Sequence, residues 1–514
     1  MKHFLKLSTI IFAVAMLFAG CEDDNETFIE VTGVTLNKTS ITLNEGDNET
    51  LTATVTPNEA TNKTVTWASS NETVATVDYD GKITAIKDGT ATITVTTEDG
   101  GKTAECTVTV LKDRATNGTT GSLSWVLNED GTLTISGNGA MPDYEVNTDD
   151  ITNSPWFYYH DIIKTIVMAD GITSIGNFAF YGCSGLTDIN IPDGVTSIGE
   201  YAFYDCLGLT DINIPDGVTS IGEYAFYDCS GLTGINIPDG VTSIRNFAFY
   251  GCSGLTGINI PDEVTSIGEY AFYDCSGLTG INIPDGVTSI GASAFRGCSG
   301  LTGINIPDGV TSIKLSAFFD CTGLTSITIP NSVTSIEPFA FHGCSGLKSI
   351  TFSKRITSIG IAAFYGCSGL ESITIPDGVK NIENAAFHGC SGLKSINIHK
   401  DVTNIEHYAF YGCTGLKNIT IPDGVKNIGY EAFFNCTELE EITIDGTINI
   451  GNKAFFNCTG LKKMTLKAIP PVTNNSFEGI SYGLEIHVPG MFLQRYKNDE
   501  FWKKFTKLGE KLLL

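Results

Sequence analysis

Cysteine is the reactive residue that recurs most regularly in this 514-residue sequence. Thirteen of the fifteen cysteines follow one another at intervals of 23 residues, except the last, which follows at 22. Thiolates can attack electrophiles, form disulfides or bind zinc. The sequence has no paired-cysteine zinc motif, phosphate loop or nucleophile motif, so the role of these thiols depends on the elements that position them. The thirteen are Cys183, Cys206, Cys229, Cys252, Cys275, Cys298, Cys321, Cys344, Cys367, Cys390, Cys413, Cys436 and Cys458.

Each cysteine closes one copy of a repeat, written out cleanly between Leu209 and Ser230 as LTDINIPDGVTSIGEYAFYDCS. In its DINI segment isoleucine alternates with polar residues, as in a strand with one buried face. Pro-Asp-Gly predicts a turn, and VTSI predicts a second short extended segment. Ala225, Phe226 and Cys229 have the spacing of one inward face of a helical turn. A fixed period of this length predicts a solenoid whose coils pack on their neighbours.

Stacking would place equivalent side chains of successive coils about 4.8 Å apart. Stacked thiols come within disulfide range, but their Cβ atoms point the same way. We therefore expect buried thiols, with disulfides as the alternative. His342 and His388 share one repeat position two coils apart, about 10 Å at strand spacing. Metal–nitrogen bonds of about 2 Å do not span that gap, so we predict surface histidines and no metal site.

Aspartate recurs in the Pro-Asp-Gly turn of six successive coils. Carboxylates stacked about 5 Å apart repel, and a bound cation would relieve the repulsion. The simpler interpretation, which we favour, is that aspartate suits this turn and water solvates it. We predict no cofactor. The six residues are Asp193, Asp216, Asp239, Asp262, Asp285 and Asp308.

The repeat resembles the BspA-like leucine-rich repeats of bacterial surface proteins. The matching features are the L-x-x-I-x-I-P strand, the V-T-S-I-G segment and the A-F-x-x-C turn, and they cover residues 163–466. The resemblance implies a curved solenoid at the cell surface, often linked to adhesion. It implies no catalytic residues.

The first 20 residues have the form of a signal peptide, with two lysines before an apolar run too short to span a membrane comfortably. Phe18-Ala19-Gly20-Cys21 resembles a lipobox, which implies that Cys21 is acylated; the alternative is an ordinary signal peptide. The acidic linker 21–28 resembles the export signal of surface lipoproteins in some Gram-negative bacteria, unless it is merely a solvated linker. We predict a surface-exposed lipoprotein of the outer membrane.

Residues 29–111 have a different pattern. Threonine and valine alternate in about seven short runs, which predicts an immunoglobulin-like sandwich. The stretch VTWASSNETVATV from Val65 to Val77, followed by DGKITA, resembles the bacterial immunoglobulin-like group 2 domain. The simplest role of this domain is a rigid spacer. The predicted fold is therefore mainly β: an immunoglobulin-like β-sandwich followed by a leucine-rich-repeat solenoid of 13 coils, with short strands and helical turns.

Flanking segments should close the solenoid, because its end coils would otherwise expose apolar faces. After a linker at 112–120, residues 121–162 are predicted as the N-terminal cap. Residues 467–514 are predicted as the C-terminal cap, with a final strand at Ile486–Pro489 and an amphipathic helix at Met491–Leu508. The apolar side of that helix would hold Phe492, Tyr496, Trp502 and Phe505.

The net charge of −27 argues against nucleic-acid binding, which needs basic patches. The charge is uneven along the solenoid. Residues 163–346 hold 18 acidic and 4 basic side chains, whereas residues 347–467 hold 11 acidic and 12 basic ones. An anionic partner such as a sulfated glycan is therefore expected near Lys348, Lys394 and Lys417, unless these lysines form an ordinary solvated face.

A tyrosine column is the first candidate contact surface, because the residue after each inward-facing phenylalanine should point away from the core. Exposed aromatics in one band often mark interaction sites, and tyrosine offers an apolar body with a polar tip. The alternative is that the rings pack on each other and shield the turns. The column holds Tyr181, Tyr204, Tyr227, Tyr250 and Tyr273, flanked three residues earlier by Tyr201, Tyr224 and Tyr270.

An asparagine column on the opposing strand face is the rival candidate, since it offers hydrogen-bonding groups in register. Both columns are arrays, whereas an active site is one unique constellation, so we predict no catalytic residues and no enzyme. The asparagine column holds Asn190, Asn213, Asn236, Asn259, Asn282 and Asn305.

Taken together, these features predict a monomeric surface lipoprotein that contacts the membrane through its lipid alone. Its solenoid would bind an extracellular protein or glycan, as an adhesin or host-interaction protein. One alternative is a polysaccharide-binding module for nutrient capture, and a second is a structural protein of the cell envelope.

Overall fold

The computed structural model describes residues 28–111, 116–148, 151–468, 475–505 and 507–510. Cys21 and the predicted signal peptide lie outside the described residues. The chain forms two compact units, Met1–Ala115 and Thr116–Leu514. Among the described helices, none is long and apolar enough to cross a membrane.

The first unit is a β-sandwich, as predicted. A four-stranded sheet and a three-stranded sheet enclose buried side chains that include Ile83, Ile93, Cys106 and Val108. Gly81 turns the chain with a φ of +81°, and a Cβ there would lie 2.5 Å from the Leu51 carbonyl oxygen. The strands are Gly33–Leu36, Ser40–Asn44, Asn48–Thr50, Ala53–Thr56, Val65–Ser69, Ala75–Val77, Lys82–Ala85, Gly89–Thr97 and Thr103–Leu111.

The second unit begins with three antiparallel strands, Asn117–Thr120, Leu123–Leu127 and Thr132–Gly137. The third of these then pairs in parallel with Thr165–Met168, so the first segment continues directly into the solenoid. Trp156 is fully buried at this end, where its ring stacks on that of Phe180 with centroids 5.9 Å apart. Its indole N–H donates a hydrogen bond of 2.6 Å to the Ala179 carbonyl. A tryptophan thus covers the first rung of the buried phenylalanine column.

Two columns of short parallel strands run along the solenoid, because isoleucines and polar residues alternate in each coil. Pairing joins identical repeat positions, for example Gly234 with Gly257 and Ser197 with Ser220. The first column holds Thr165–Met168, Asp188–Asn190, Gly234–Asn236, Gly257–Asn259, Ser326–Thr328, Ser349–Thr351, Ser372–Thr374, Ser395–Asn397, Asn418–Ile421, Glu441–Ile444, Lys463–Leu466, Glu485–Val488 and Lys507–Glu510.

The second column is made of two- and three-residue strands. Because strands outside the 13 predicted copies join both ends, the solenoid has about 15 turns. The second column holds Gly139–Ala140, Ile172–Ser174, Ser197–Ile198, Ser220–Ile221, Ser243–Ile244, Ser266–Ile267, Ser289–Ile290, Ser312–Ile313, Ser335–Ile336, Ser358–Ile359, Asn381–Ile382, Asn404–Ile405, Asn427–Ile428 and Asn449–Ile450.

One continuous core fills the solenoid, as the repeat predicts. Leucine, isoleucine, valine, alanine, phenylalanine and cysteine of each coil lie on their equivalents in the next coil and are almost all fully buried. The phenylalanine rings stack with centroids 5.0 to 5.6 Å apart from Phe180 to Phe477. No coil could bury this surface alone, so stability arises from contacts between neighbours.

The predicted helical turn around each alanine and phenylalanine is instead a run of tight turns. The Phe203 N–H donates to the Ala225 carbonyl of the next coil at 2.8 Å, whereas a helix would direct it back along its own coil. The residue before each alanine takes a left-handed backbone conformation, with φ of 55° at Tyr201 and 57° at Tyr224. Inward-facing Ala, Phe and Cys were predicted correctly, but the helical geometry was not.

The C-terminal segment also departs from the prediction of one long helix. The α-helix covers only Gly490–Asn498, a 3-10 turn follows at Trp502–Lys504, and the strand Lys507–Glu510 pairs in parallel with Glu485–Val488. The helix ends at Asp499, whose backbone is extended and whose carboxylate accepts hydrogen bonds from the next turn. Tyr496, Trp502 and Phe505 are nevertheless buried, and Phe492 is half-buried.

Candidate contact surfaces of the solenoid

The predicted tyrosine column is half-buried, and its rings stack face to face. Ring centroids are 4.8 Å apart for Tyr181 and Tyr204, and 4.4 to 4.5 Å apart for each later pair up to Tyr273. Neighbouring planes differ by only 4° to 10°. Both faces of each interior ring are therefore covered by the adjacent tyrosines.

A second aromatic column runs alongside the first, three residues earlier in each coil. Its rings stack at 4.4 to 4.6 Å and lie 5.8 to 6.1 Å from the tyrosine column. Only its tyrosines were predicted as contact residues, and the two phenylalanines stand at the same distance before their repeat cysteines. The full column is Phe178, Tyr201, Tyr224, Phe247 and Tyr270.

The two columns together form a band of ten aromatic rings, called the aromatic band below. This band can offer a partner only hydroxyl groups and ring edges. Burial, with the neighbouring Tyr204 and Asp228 adding to it, raises the pKa of Tyr227 to about 12. Burial likewise raises the pKa of Tyr201 to about 12. These phenols therefore stay protonated at neutral pH and can donate hydrogen bonds. The packing interpretation of the band agrees with its geometry, and ring faces are not free to stack on a ligand.

The first column continues beyond the tyrosines. The Arg296 guanidinium lies over the Phe319 ring at 4.2 Å from its centroid, and the stack runs on at 4.3 to 4.9 Å to Phe456. His342 lies between Phe319 and Tyr365, and His388 between Tyr365 and Tyr411.

The two histidines are half-buried rather than surface residues, which corrects the sequence prediction. Stacking on both ring faces withdraws them from water, and burial lowers the pKa of His342 and of His388. The Nδ1 atom of each is buried and has no hydrogen-bond partner among the described residues. The repeat spacing indicates how far apart the two histidines lie, but it does not indicate that aromatic rings cover their faces.

The asparagine column lies on the exposed face of the first strand column. Asn190, Asn213, Asn236 and Asn259 are all exposed. Among the described residues, no side-chain hydrogen bond occupies their amides. From Asn236 onward, four successive coils carry glycine two residues before the asparagine, and a Cβ at any of these positions would meet nothing within 4 Å. In these coils the amides lie next to bare backbone, whereas Asp188 and Asp211 accompany Asn190 and Asn213. The four glycines are Gly234, Gly257, Gly280 and Gly303.

The acidic turn column and the basic half of the solenoid behave as solvated surfaces with local pairing. No cluster of three or more metal-ligating side chains occurs in the part of the chain that the structure describes. Lys394 pairs with Glu371 at 2.8 Å, and Lys462 pairs with Glu440 at 2.8 Å. Of the three lysines that were expected to attract an anionic partner, Lys394 is thus paired with an acidic side chain, whereas Lys348 and Lys417 form no ion pair among the described residues.

All fourteen cysteines in the described residues are free and buried. From Cys206 to Cys458, each repeat thiol donates a weak hydrogen bond to the carbonyl of the preceding coil's phenylalanine, as Cys229 does to Phe203 at 3.1 Å. Burial, with the neighbouring Cys252 adding to it, raises the pKa of Cys229 well above its usual range. The thiols therefore act as small core side chains, as expected.

Comparison with known proteins identifies the repeats. The family described as "BspA type Leucine rich repeat region" matches residues 151–279, 265–394 and 380–498, which is more than half of the chain. The chain belongs to the BspA-type leucine-rich repeat family. The description "Bacterial Ig-like domain (group 2)" matches residues 30–108.

Solved structures similar to this family member include a leucine-rich cell surface protein from Faecalibacterium prausnitzii. It is 32% identical, with 65% of this chain and 96% of that chain covered and a TM-score of 0.43. A leucine-rich repeat protein from Bacteroides ovatus is 28% identical, with 68% and 94% covered and a TM-score of 0.40.

Curated relatives share only short stretches with this chain. An alpha-L-arabinofuranosidase of Bifidobacterium longum is 46% identical over 101 residues, which is 20% of this chain and 10% of the enzyme. A kappa-carrageenase of Pseudoalteromonas carrageenovora is 48% identical over 84 residues, 16% of this chain and 21% of the enzyme. The chain thus spans about a tenth to a fifth of the length of these relatives.

Proposed function

We propose that this protein is a non-catalytic binding protein of the cell surface, whose solenoid holds an extracellular protein or glycan. The observation that carries the proposal is the asparagine column, where exposed amides without side-chain partners repeat along the first strand column. Such a row suits a partner that presents polar groups at regular intervals, because each coil adds one contact. Membership of a family of bacterial repeat proteins supports a binding role.

The asparagine column is a stronger candidate than the aromatic band. The band uses its ring faces for its own packing, so it can offer a partner only hydroxyls and ring edges. The amides of Asn213, Asn236 and Asn259 have no competing role among the described side chains, and replacing them leaves no cavity. Packing therefore explains why aromatic residues recur in the band, whereas it does not explain why asparagine recurs in its column.

Two other roles use the same surfaces. Capture of polysaccharide as a nutrient is supported by relatives that are named as an arabinofuranosidase and a carrageenase, although they share only short stretches. A structural role in the envelope would need self-association of the solenoid. We favour binding by a monomer whose only membrane contact is the lipid on Cys21 at the outer face of the outer membrane.

The binding surface is tested with the lipid-free Cys21→Ala protein on an array of extracellular matrix proteins and glycans. In that background, changing Asn213, Asn236 and Asn259 together to alanine should weaken binding at least tenfold while the urea midpoint stays unchanged. The matched comparison changes Tyr204, Tyr227 and Tyr250 to phenylalanine, which keeps the stack and removes three hydroxyls. Full binding by the asparagine variant, with loss in the tyrosine variant, would transfer the site to the aromatic band.

The anchor is tested separately. Cys21→Ala should release the protein from membranes into the soluble fraction, because a mature lipoprotein is held by more than one acyl chain. Fatty-acid labelling that persists in the Cys21→Ala variant would refute acylation at this residue.

A further inference from the structure

One of the coils that depart from the repeat carries a phenylalanine and two basic residues in the turn after its first strand. Residues 352–356 read FSKRI, where the next coil has IPDGV at residues 375–379. Phe352 stands at the position of Ile329 and Ile375, which are buried in the neighbouring coils, but Phe352 is only half-buried. Its ring meets that of Phe364 edge-on, with centroids 5.9 Å apart.

The strand ladder is interrupted at this point, as it is at two other places in the same column, after Asp188–Asn190 and after Gly257–Asn259. Ser349–Thr351 pairs with the preceding strand Ser326–Thr328, and Ser372–Thr374 pairs with the following strand Ser395–Asn397. Among the described strands, no pairing joins Ser349–Thr351 to Ser372–Thr374. A cleft of about 540 Å³ is lined by both strands and by the turns that follow them.

The lining combines hydroxyl groups with apolar surface. Its four exposed hydroxyl side chains make no side-chain hydrogen bond within the described parts of the chain, unlike the threonines that bond between other coils, such as Thr233 to the Thr210 carbonyl. The half-buried Ile350 and Phe352 supply apolar surface between them. A mixed lining and a volume of this order are typical of small-molecule sites, at about 300–1,000 Å³. The hydroxyl residues are Ser349, Thr351, Ser372 and Thr374.

The cleft has two basic side chains in or next to its lining. Lys354 lines it and Arg355 follows in the same turn, and neither forms an ion pair among the described residues, whereas Lys380 and Lys394 in nearby coils do. The carboxylate in the lining, Asp377, is held by His399 of the next coil at 3.3 Å. An anionic group on a ligand would therefore meet an unpaired cation.

We propose that this cleft binds one unit of an acidic saccharide, with the sugar hydroxyls on the serine and threonine hydroxyls and its carboxylate or sulfate on Lys354. Phe352 and Ile350 would cover the apolar face of the ring. This site uses none of the six asparagines, although Thr351 and Thr374 stand at the same repeat position two and three coils beyond Asn305. It deepens the proposed function by naming a partner class.

The repeat itself supplies a variant that removes the cleft without threatening the fold. Changing Phe352, Ser353, Lys354, Arg355 and Ile356 to the IPDGV of the next coil should restore the turn that most coils share and keep or raise the urea midpoint. Binding to the lipid-free protein is measured by calorimetry with three probes: a galacturonic acid oligomer, a heparin-derived oligosaccharide and a neutral cello-oligosaccharide. Wild type should bind at least one of the acidic probes tenfold more tightly than the neutral one, and the five-residue variant should bind neither acidic probe.

Two single substitutions test the role of the charge, one in the cleft and one at a matched control position. Lys400 occupies the same repeat position as Lys354 two coils later and is equally exposed. Lys354→Ala should weaken acidic-saccharide binding roughly tenfold or more, since a charge-assisted contact is lost, and Lys400→Ala should leave it within about twofold of wild type.

Three results would overturn the site. They are binding that survives in the five-residue variant, equal losses from Lys354→Ala and Lys400→Ala, and polyglutamate that binds as tightly as the acidic sugars. Preference for the carboxylated or the sulfated probe identifies the anionic group. The triple asparagine variant should bind the acidic probes normally, so failure of the asparagine column and failure of the cleft remain distinguishable.

Discussion

The ring of Tyr227 lies flat against that of Tyr250, with centroids 4.4 Å apart and planes 4° apart. In the same two coils, the buried ring of Phe226 lies on that of Phe249 at 5.5 Å and 2°. Each junction between these coils is therefore held by one aromatic contact inside the core and another at the surface. The surface tyrosines contribute to packing whether or not a partner also touches them.

This relationship predicts that the tyrosines matter to stability through their rings. Changing Tyr204, Tyr227 and Tyr250 together to serine should lower the free energy of unfolding by about 2 kcal/mol per ring, because stacked and half-buried aromatic surface is lost. The same three changes to phenylalanine should cost less than about 1 kcal/mol in all, because stacking is retained. Urea unfolding measures both, and equal midpoints for the two variants would show that stacking is not what stabilises the band.

The buried column predicts a local loss. Phe226 is fully buried between Phe203 and Phe249, so Phe226→Ala should leave a cavity and cost about 3–5 kcal/mol. Because each coil contacts only its neighbours, hydrogen exchange should rise mainly in the coils on either side. Phe341→Ala is the matched control, and in that variant the increase in hydrogen exchange should appear in the coils next to residue 341 instead. Protection lost uniformly in both variants would contradict local coupling.

The sequence predicted what repeats, because a repeated position has the same neighbours in every coil. Phe226 and Cys229 point inward and stack as expected, and the period defines the parallel pairing of the strands. The helical turn was wrong because spacing alone cannot show where an N–H bonds. Here the Phe203 N–H bonds the next coil, and Tyr201 adopts a left-handed backbone that ends any helix.

What the sequence could not predict depends on neighbours that differ from the repeat. His342 and His388 were expected at the surface, but their exposure is set by Phe319, Tyr365 and Tyr411 on their faces. Likewise, the substitution at Phe352 is visible in the sequence, but the repeat pattern does not indicate the cleft that two adjacent strands and their turns line beside it.

The burial of the cysteine column predicts that its thiols do not react with alkylating reagents in the folded protein. All of them are buried away from alkylating reagents, and at Cys229, for example, burial also raises the pKa and so suppresses the reactive thiolate. In the Cys21→Ala variant, iodoacetamide at pH 8 should leave the fourteen described cysteines unmodified until guanidinium is added, after which all should react. Intact mass spectrometry counts the modified thiols, and fewer than fourteen after unfolding without reductant would reveal disulfides.

The stacked histidines predict a loss of stability on acidification. Burial lowers the pKa of His342 and His388 in the folded protein, with Asp320 opposing and Arg296 adding to the shift at His342. As the pH falls through the ordinary histidine pKa of about 6.5, the unfolded chain binds protons that the folded chain does not, so the folded state loses stability. Full stability from these residues is therefore expected above that pH.

Replacing both histidines with phenylalanine, the residue that occupies this column at Phe319 and Phe434, keeps the stack and removes the titration. The urea midpoint of wild type should fall more between pH 7.5 and 5.5 than that of the His342→Phe, His388→Phe variant. Tyr365→Phe, which changes the ring between the two histidines, is the control and should keep the wild-type slope. Carboxylates titrate in all three proteins. The contribution of the histidines is therefore given by the difference between the slopes of urea midpoint against pH. Identical slopes in wild type and the double variant would show that the stacked histidines do not couple protonation to folding.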